Sequence, residues 1–124
     1  MKIKLFFLLI FAGTLFITQG CAENDVTEPV TSTIYVNLAS NDTYEYDLGV
    51  FGDEEGATII KQASFYRISK IDNLMTDSKT MYTYLPSQDY VGKDEVEIKT
   101  ARGSDGASAN TDIEIIRIVF TVLK

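Results

Sequence analysis

Apolar and polar residues alternate with a period of two along most of the chain after residue 32. Ile34, Val36 and Leu38 share one face of a first predicted strand, because successive side chains of a strand point to opposite sides. The same alternation predicts strands over residues 43–51, 57–61, 82–85, 94–101 and 111–123. Turn-forming residues separate these runs at 39–42, 52–56, 72–78 and 103–110. The pattern therefore predicts an all-β chain.

Two segments leave alternatives open. In residues 62–71, Phe65, Ile68 and Ile71 would share a helical face, whereas Tyr66 and Ile68 would share a strand face. We favour a strand, because the segment is short, lacks a helix cap and lies among strands. The last strand changes phase where two isoleucines are adjacent, at residues 115–116. This predicts a β-bulge, with burial of both faces as the alternative.

A corner between two strands is the most informative stretch. Pro86 ends the strand that carries Tyr84, since proline cannot donate to a ladder. Gly92 permits a positive φ before the next strand begins. We expect Asp94 to fix the turn by accepting hydrogen bonds from the backbone or a hydroxyl. We expect the ring of Tyr90 to close the end of the fold, with its hydroxyl on a backbone carbonyl.

This Tyr-x-Pro corner, followed by an aromatic residue, x-Gly-x-Asp and alternating hydrophobic residues, resembles bacterial immunoglobulin-like and cadherin-like modules. The resemblance covers about the last 43 residues, including the turn at 103–106 and the final apolar strand. It implies a single antiparallel immunoglobulin-like sandwich of about seven strands, and it is nearly silent on function.

The amino terminus has the pattern of an export signal. Lys2 and Lys4 precede an uncharged apolar run over residues 5–17, which is too short to cross a bilayer and fits a signal peptide. Gly20 and Cys21 resemble a bacterial lipobox, although Thr18 departs from the usual leucine; the alternative is an ordinary secretory signal. The resemblance implies that Cys21 is acylated and becomes the new amino terminus. We therefore divide the chain into a cleaved lipoprotein signal peptide (1–20), an acidic flexible tether (21–32) and the sandwich (33–124).

Composition narrows the function classes. The chain has 124 residues, a net charge of −7, no histidine and one cysteine, and removal of residues 1–20 would leave a net charge of −9. Nucleic-acid binding needs a cationic surface, so it is not expected. A Cys/His metal site or a histidine-based catalytic pair cannot be built. We predict no enzyme activity, no catalytic residue, no metal and no cofactor.

These observations predict an outer-membrane lipoprotein at the cell surface or the periplasmic face. Its partners would be the bilayer, through acylated Cys21, and a protein bound or spaced by the sandwich. The alternatives are a carbohydrate-binding lipoprotein that uses exposed tyrosines and a calcium-dependent adhesin that uses the acidic loops around 53–55 and 72–77. A small hydrolase, a fourth class, would need two converging carboxylates. Tyr35 points away from Ile34 and Val36 and is the clearest candidate for a ligand contact.

Overall fold

The computed structural model describes residues 31–74 and 78–124, which form strands and connecting loops. In chain order, the strands are β1 (Ser32–Ala39), β2 (Tyr44–Val50), β3 (Gly56–Lys61), β4 (Tyr66–Leu74), β5 (Lys79–Pro86), β6 (Gly92–Arg102) and β7 (Asp112–Leu123). The signal peptide and all but the last two residues of the expected tether lie outside the described residues.

The seven strands form two sheets, so the predicted all-β sandwich is confirmed. One sheet has the order β1-β7-β6-β3 and the other the order β2-β5-β4. Orders of this kind, with the third, sixth and seventh strands opposite the second, fifth and fourth, are those of immunoglobulin-like sandwiches. One pair departs from the antiparallel arrangement, because β1 runs parallel to β7. Parallel pairing is possible here because β1 and β7 are the first and last strands and are not joined by a hairpin.

Element boundaries agree with the alternation in most places. β4 is a strand, as favoured over a helix, but it starts at Tyr66 and continues to Leu74, through positions expected to be a loop. β7 carries no bulge: its register with β6 is unbroken from Asp112 to Val122. Ile115 and Ile116 are instead both buried, on opposite faces of the strand. Burial of both faces, the alternative explanation, therefore accounts for the change of phase.

The core lies between the sheets, where inward side chains of β5, β6 and β7 meet. Tyr84 stacks on Phe120 with ring centroids 3.9 Å apart and planes 6° apart. Complete burial of these rings and of the aliphatic side chains around them is the main favourable term in the stability of such a domain. The fully buried side chains are Tyr82, Tyr84, Pro86, Val96, Ile98, Thr100, Ile118, Phe120 and Val122.

The sandwich has two ends with different loops. The entry end holds the start of β1, the β2–β3 loop, the β4–β5 connection and the β6–β7 hairpin. The corner end holds the β1–β2, β3–β4 and β5–β6 loops together with the carboxyl terminus. β1 begins at the entry end, beside the first half of β7.

Candidate functional site

The carboxylate of Asp94 is the centre of the corner end. Asp94 is buried at the start of β6 and accepts hydrogen bonds from the backbone N–H groups of Ser64 and Phe65, each at 2.8 Å. The hydroxyl of Tyr84 donates to the same carboxylate at 2.9 Å, and the N–H of Glu95 donates at 3.0 Å. These bonds join the β3–β4 loop to β5 and β6, and therefore tie the two sheets together.

Tyr90 and Phe65 cover this carboxylate from outside. Their rings stack with centroids 4.4 Å apart and planes 9° apart. The Tyr90 hydroxyl donates to the carbonyl oxygen of Lys93 at 2.6 Å. Gly92 has φ +147°, and a Cβ there would lie 2.9 Å from the Tyr90 hydroxyl. The corner residues expected from the sequence, with Pro86 buried at the end of β5, thus come together in one cluster.

The corner cluster is suited to holding the fold and not to acid–base chemistry. Both carboxylate oxygens of Asp94 accept hydrogen bonds from main-chain or hydroxyl donors. Burial and the bond to Asp94 raise the pKa of Tyr84 far above its usual value. Burial likewise raises the pKa of Tyr82, whose hydroxyl lies 2.8 Å from that of Ser69. Tyrosines held neutral in this way act as hydrogen-bonding struts across the interior.

Tyr35 lies on the outer face of the four-stranded sheet and is 81 % exposed. Its cross-strand neighbour on β7 is Val119, which in turn pairs with Glu95 on β6. Two ion pairs lie on the same face: Lys61 bonds Glu95, and Arg117 bonds Glu97 with its Nη2 at 2.7 Å. We call this outer surface, with Tyr35 at its edge, the Tyr35 face. It offers an exposed aromatic ring on the same sheet face as two ion pairs.

The other tyrosines do not extend a row from Tyr35. Tyr44 and Tyr46 are half-buried against the core, and Tyr82 and Tyr84 are completely buried. Tyr66, at 39 % exposure, belongs to the other sheet. A planar row of exposed tyrosines, which sugar binding by stacking would need, is therefore absent from the described residues.

A groove of about 530 Å³ opens between edge strands β3 and β4 near the entry end. Phe51, Ile71 and Leu74 supply its apolar lining, and Asp53 and Asn73 are among its polar groups. The further lining residues are Gly52, Glu55, Gly56, Ala57, Ser78 and Thr80. This groove could not be predicted from the sequence, because its walls come from loops and strand ends that are far apart along the chain.

Hydrogen bonds fix the loop on the groove's rim. One oxygen of Glu55 accepts from the N–H of Gly52 at 2.9 Å, and the other accepts from the N–H of Gly103 at 2.8 Å. These bonds lower the pKa of Glu55, and the charge of Arg102 lowers it further. The Arg102 guanidinium lies 4.3 Å from the centre of the Phe51 ring and donates to the carbonyl of Leu48. The β2–β3 loop is thus held against the β6–β7 hairpin.

The acidic loops of the calcium alternative come only partly together. Asp53 and Asn73 line the same groove, but Asp72 is paired with Lys70 at 2.8 Å, and Asp77 lies outside the described residues. Within residues 31–74 and 78–124, no three His, Cys, Asp or Glu side chains are grouped so that they could hold a metal ion. Cys21, the expected lipidation site, also lies outside the described residues.

The fold and the corner together define a seven-stranded all-β sandwich with immunoglobulin-like strand order. No family model matches the chain, and no curated protein matches it. Among solved structures, it is similar to an endo-fucoidan hydrolase from glycoside hydrolase family 107, with TM-score 0.45 and 16 % identity over 73 % of this chain and 12 % of that chain. It is also similar to a cysteine protease inhibitor from Entamoeba histolytica, with TM-score 0.40 and 14 % identity over 73 % of this chain and 86 % of that chain.

At this distance neither likeness bears on activity, and the chain spans about an eighth of the hydrolase. A search of the described residues for a helix long and apolar enough to cross a membrane finds none.

Proposed function

We propose that the chain is a lipid-anchored envelope protein whose sandwich is a non-enzymatic module that binds or spaces another protein. The observation that supports binding most directly is the exposure of Tyr35, a large aromatic side chain on a flat sheet face. Tyrosine is enriched at the energetically dominant positions of protein interfaces, because it combines apolar area with a polar tip. The charged side chains of the same face, including the pairs Lys61–Glu95 and Arg117–Glu97, would keep it soluble until a partner covers it.

Anchoring is supported by the leader and by the position of β1. The only cysteine of the chain is Cys21, directly after the predicted signal peptide. Ten residues, 22–31, lie between it and β1 and, when extended, could span roughly 35 Å. Two or three acyl chains would hold such a protein firmly in a membrane, whereas one would not. The entry end would then face the membrane, and the corner end would point away from it.

Metabolic labelling with palmitate tests the anchor. We expect the wild-type chain to incorporate label and to fractionate with membranes, and Cys21→Ser to do neither, since no other thiol is present. Thr18→Leu, which restores the residue usual at that position of a lipobox, is the matched control and should be labelled at least as well as wild type. Equal labelling of wild type and Cys21→Ser would disprove lipidation at this residue.

Treatment of intact cells with an impermeant protease tests the location, with a periplasmic protein as the lysis control. Loss of the full-length chain with the control intact would put the sandwich on the cell surface. Survival until the cells are permeabilised would put it on the periplasmic face. Either result is consistent with an envelope module, whereas a protein that resists protease in permeabilised cells and fractionates with the cytoplasm would contradict it.

Site-specific photocrosslinking in living cells tests the binding face. A photoreactive phenylalanine analogue replaces Tyr35 in one strain, and in a control strain it replaces Glu45, which is exposed on the other sheet. We expect one discrete protein adduct from position 35 and none from position 45. The same adducts from both positions, or none from either, would refute the Tyr35 face as a binding surface.

A further inference from the structure

The groove between β3 and β4 is a second surface feature, besides the Tyr35 face, that could bind a partner. The two strands are the exposed edges of their sheets. Their corner-end halves are interrupted by register shifts, between Ile59 and Lys61 in β3 and between Tyr66 and Ile68 in β4. Such bulges twist an edge away and discourage pairing with other chains. The halves that flank the groove keep regular register.

Among the described residues around the groove, one carboxylate is uncompensated. Glu55 is occupied by two backbone N–H groups, and Asp72 is paired with Lys70. Lys79 lies 3.4 Å from Asp47. Asp53, by contrast, makes no hydrogen bond or ion pair with another residue in the part of the chain that the structure describes. A negative charge thus stands unpaired beside an apolar lining.

The lining suits a long side chain with an apolar stem. Phe51 is held in place by the guanidinium of Arg102, and Ile71 packs against the core. Leu74 is 43 % exposed at the other wall. Arginine and lysine lay their methylene stems along such surfaces while their charged ends stay at the polar rim. Arginine is the better fit where a carboxylate stands at the rim, because its planar cation pairs with a carboxylate through two parallel N–H groups.

We propose that this groove binds an arginine side chain of a partner protein, with the stem on Phe51, Ile71 and Leu74 and the cation at Asp53. The proposal rests on the proposed function, a protein-binding module, and names a second contact region at its entry end. The complementarity is both local, through Asp53, and general, since the chain has a net charge of −7. General attraction of opposite charges speeds encounter, whereas the local pair fixes position.

Nuclear magnetic resonance titration of the full chain, uniformly labelled with ¹⁵N in a neutral detergent, tests the proposal. The probes are acetyl-Gly-Arg-Gly-amide and the same peptide with citrulline, which has the shape of arginine without its charge. We expect saturable shifts of the backbone amides of residues 51–57, 71–74 and 78–80 with the arginine peptide. The citrulline peptide should bind the same amides about fivefold more weakly, as expected for loss of a partly exposed ion pair.

Three variants test separately the carboxylate at the rim, the apolar lining and the net charge of the chain. Asp53→Asn should weaken binding of the arginine peptide about fivefold and leave binding of the citrulline peptide unchanged. Leu74→Ser, at an exposed position, should weaken the binding of both peptides by the same factor. Glu45→Gln, which removes one carboxylate far from the groove, is the control for net charge and should change neither. The shifts of the peptide-free spectra report whether each variant remains folded.

The proposal is overturned if the shifts at saturation are spread over all acidic loops, if arginine and citrulline bind equally, or if Asp53→Asn and Glu45→Gln have the same effect. Absence of any shift at peptide concentrations of about 10 mM, where a Kd near 1 mM would give near saturation, overturns it as well. None of these results would remove an adduct formed at position 35, so failure of the groove and failure of the proposed function are distinguishable.

Discussion

At the residue scale, a single carboxylate carries much of the corner's geometry. Asp94 serves two backbone donors of the β3–β4 loop and the hydroxyl of Tyr84. Loss of a buried acceptor leaves its donors without partners, which costs more than the net value of the bonds themselves. The sequence predicted that Asp94 would fix this turn, but not that the donors would come from a loop about 30 residues earlier.

We expect Asp94→Asn to lower the free energy of unfolding by about 3 kcal/mol, because one oxygen is replaced by a donor that faces N–H groups. Urea-induced unfolding of the full chain, followed by circular dichroism, measures the change. Glu95→Gln is the control: its carboxylate bonds Lys61 at the surface, where removal costs about 1 kcal/mol or less. If the two substitutions lowered the free energy of unfolding equally, the hydrogen bonds of Asp94 would contribute no more to stability than a surface ion pair.

Gly92 is constrained both by its backbone and by its neighbour. Its φ of +147° disfavours any side chain, and a Cβ would come within 2.9 Å of the Tyr90 hydroxyl. We expect Gly92→Ala to destabilise the fold by about 2 kcal/mol. In the same unfolding assay Gly56→Ala, where no atom lies within 4 Å of the added Cβ and φ is ordinary, should change stability by about 0.5 kcal/mol or less. If Gly92→Ala changed stability no more than Gly56→Ala, the corner would be able to rearrange around an added side chain.

At the scale of elements, β7 shows how one strand can be buried on both faces. Its inner face fills the core, while Ile115 is only 2 % exposed on the outer face. Thr31 is bound to this position, since its N–H donates to the Ile115 carbonyl at 2.8 Å. The pairing of β1 in parallel beside β7 brings that segment to the entry end. A position that looked like a bulge in the sequence is therefore one where the strand is buried on both faces.

We expect Ile115→Ala to cost about 3 kcal/mol of stability, because it removes buried methyl groups and leaves a cavity. Ile113→Ala is the matched control on the same face, where the side chain is 37 % exposed, and should cost about 1 kcal/mol or less. The midpoint and slope of urea unfolding give both values. If the costs were equal, Ile115 would not be packed on the outer face as described.

At the scale of the whole molecule, the buried tyrosines set an upper pH limit for the fold. The pKa values of Tyr82 and Tyr84 are raised in the folded state, chiefly by burial, whereas an unfolded chain releases these protons near pH 10. The unfolded state therefore binds fewer protons above that pH, and the free energy of unfolding decreases as pH rises. Below pH 10 this contribution is complete.

We expect the melting temperature to fall steeply above about pH 10. Tyr84→Phe should lower stability at neutral pH, through the lost bond to Asp94, and should make the alkaline fall shallower. Tyr35→Phe, at an exposed ring, should leave unchanged both the stability at neutral pH and the steepness of the alkaline fall. Calorimetry between about pH 7 and pH 11 measures the profiles, and an alkaline slope that is identical in wild type and Tyr84→Phe would contradict the assignment.

Local pattern determined most of the strands of this protein and the residues of its corner. The period-two alternation exists because a sandwich strand has one face in the core, so β1, β2, β6 and most of β7 can be recognised from their own residues. Pro86, Gly92 and Asp94 act through backbone geometry within a few residues, and the sequence predicts such local effects well. The apolar run over residues 5–17 and Cys21, from which a leader and lipidation are predicted, are likewise a local pattern, although they lie outside the described residues.

Only the tertiary structure decided those features in which segments far apart along the chain come into contact. The parallel pairing of β1 with β7, the burial of Ile115, the bond between Glu55 and Gly103, and the groove beside Asp53 each join residues far apart along the chain. Alternation states that one face of a strand is buried, but it does not state which strand lies beside it. Surface sites are less predictable still, because an exposed tyrosine and an unpaired carboxylate acquire meaning only from the neighbours that folding gives them.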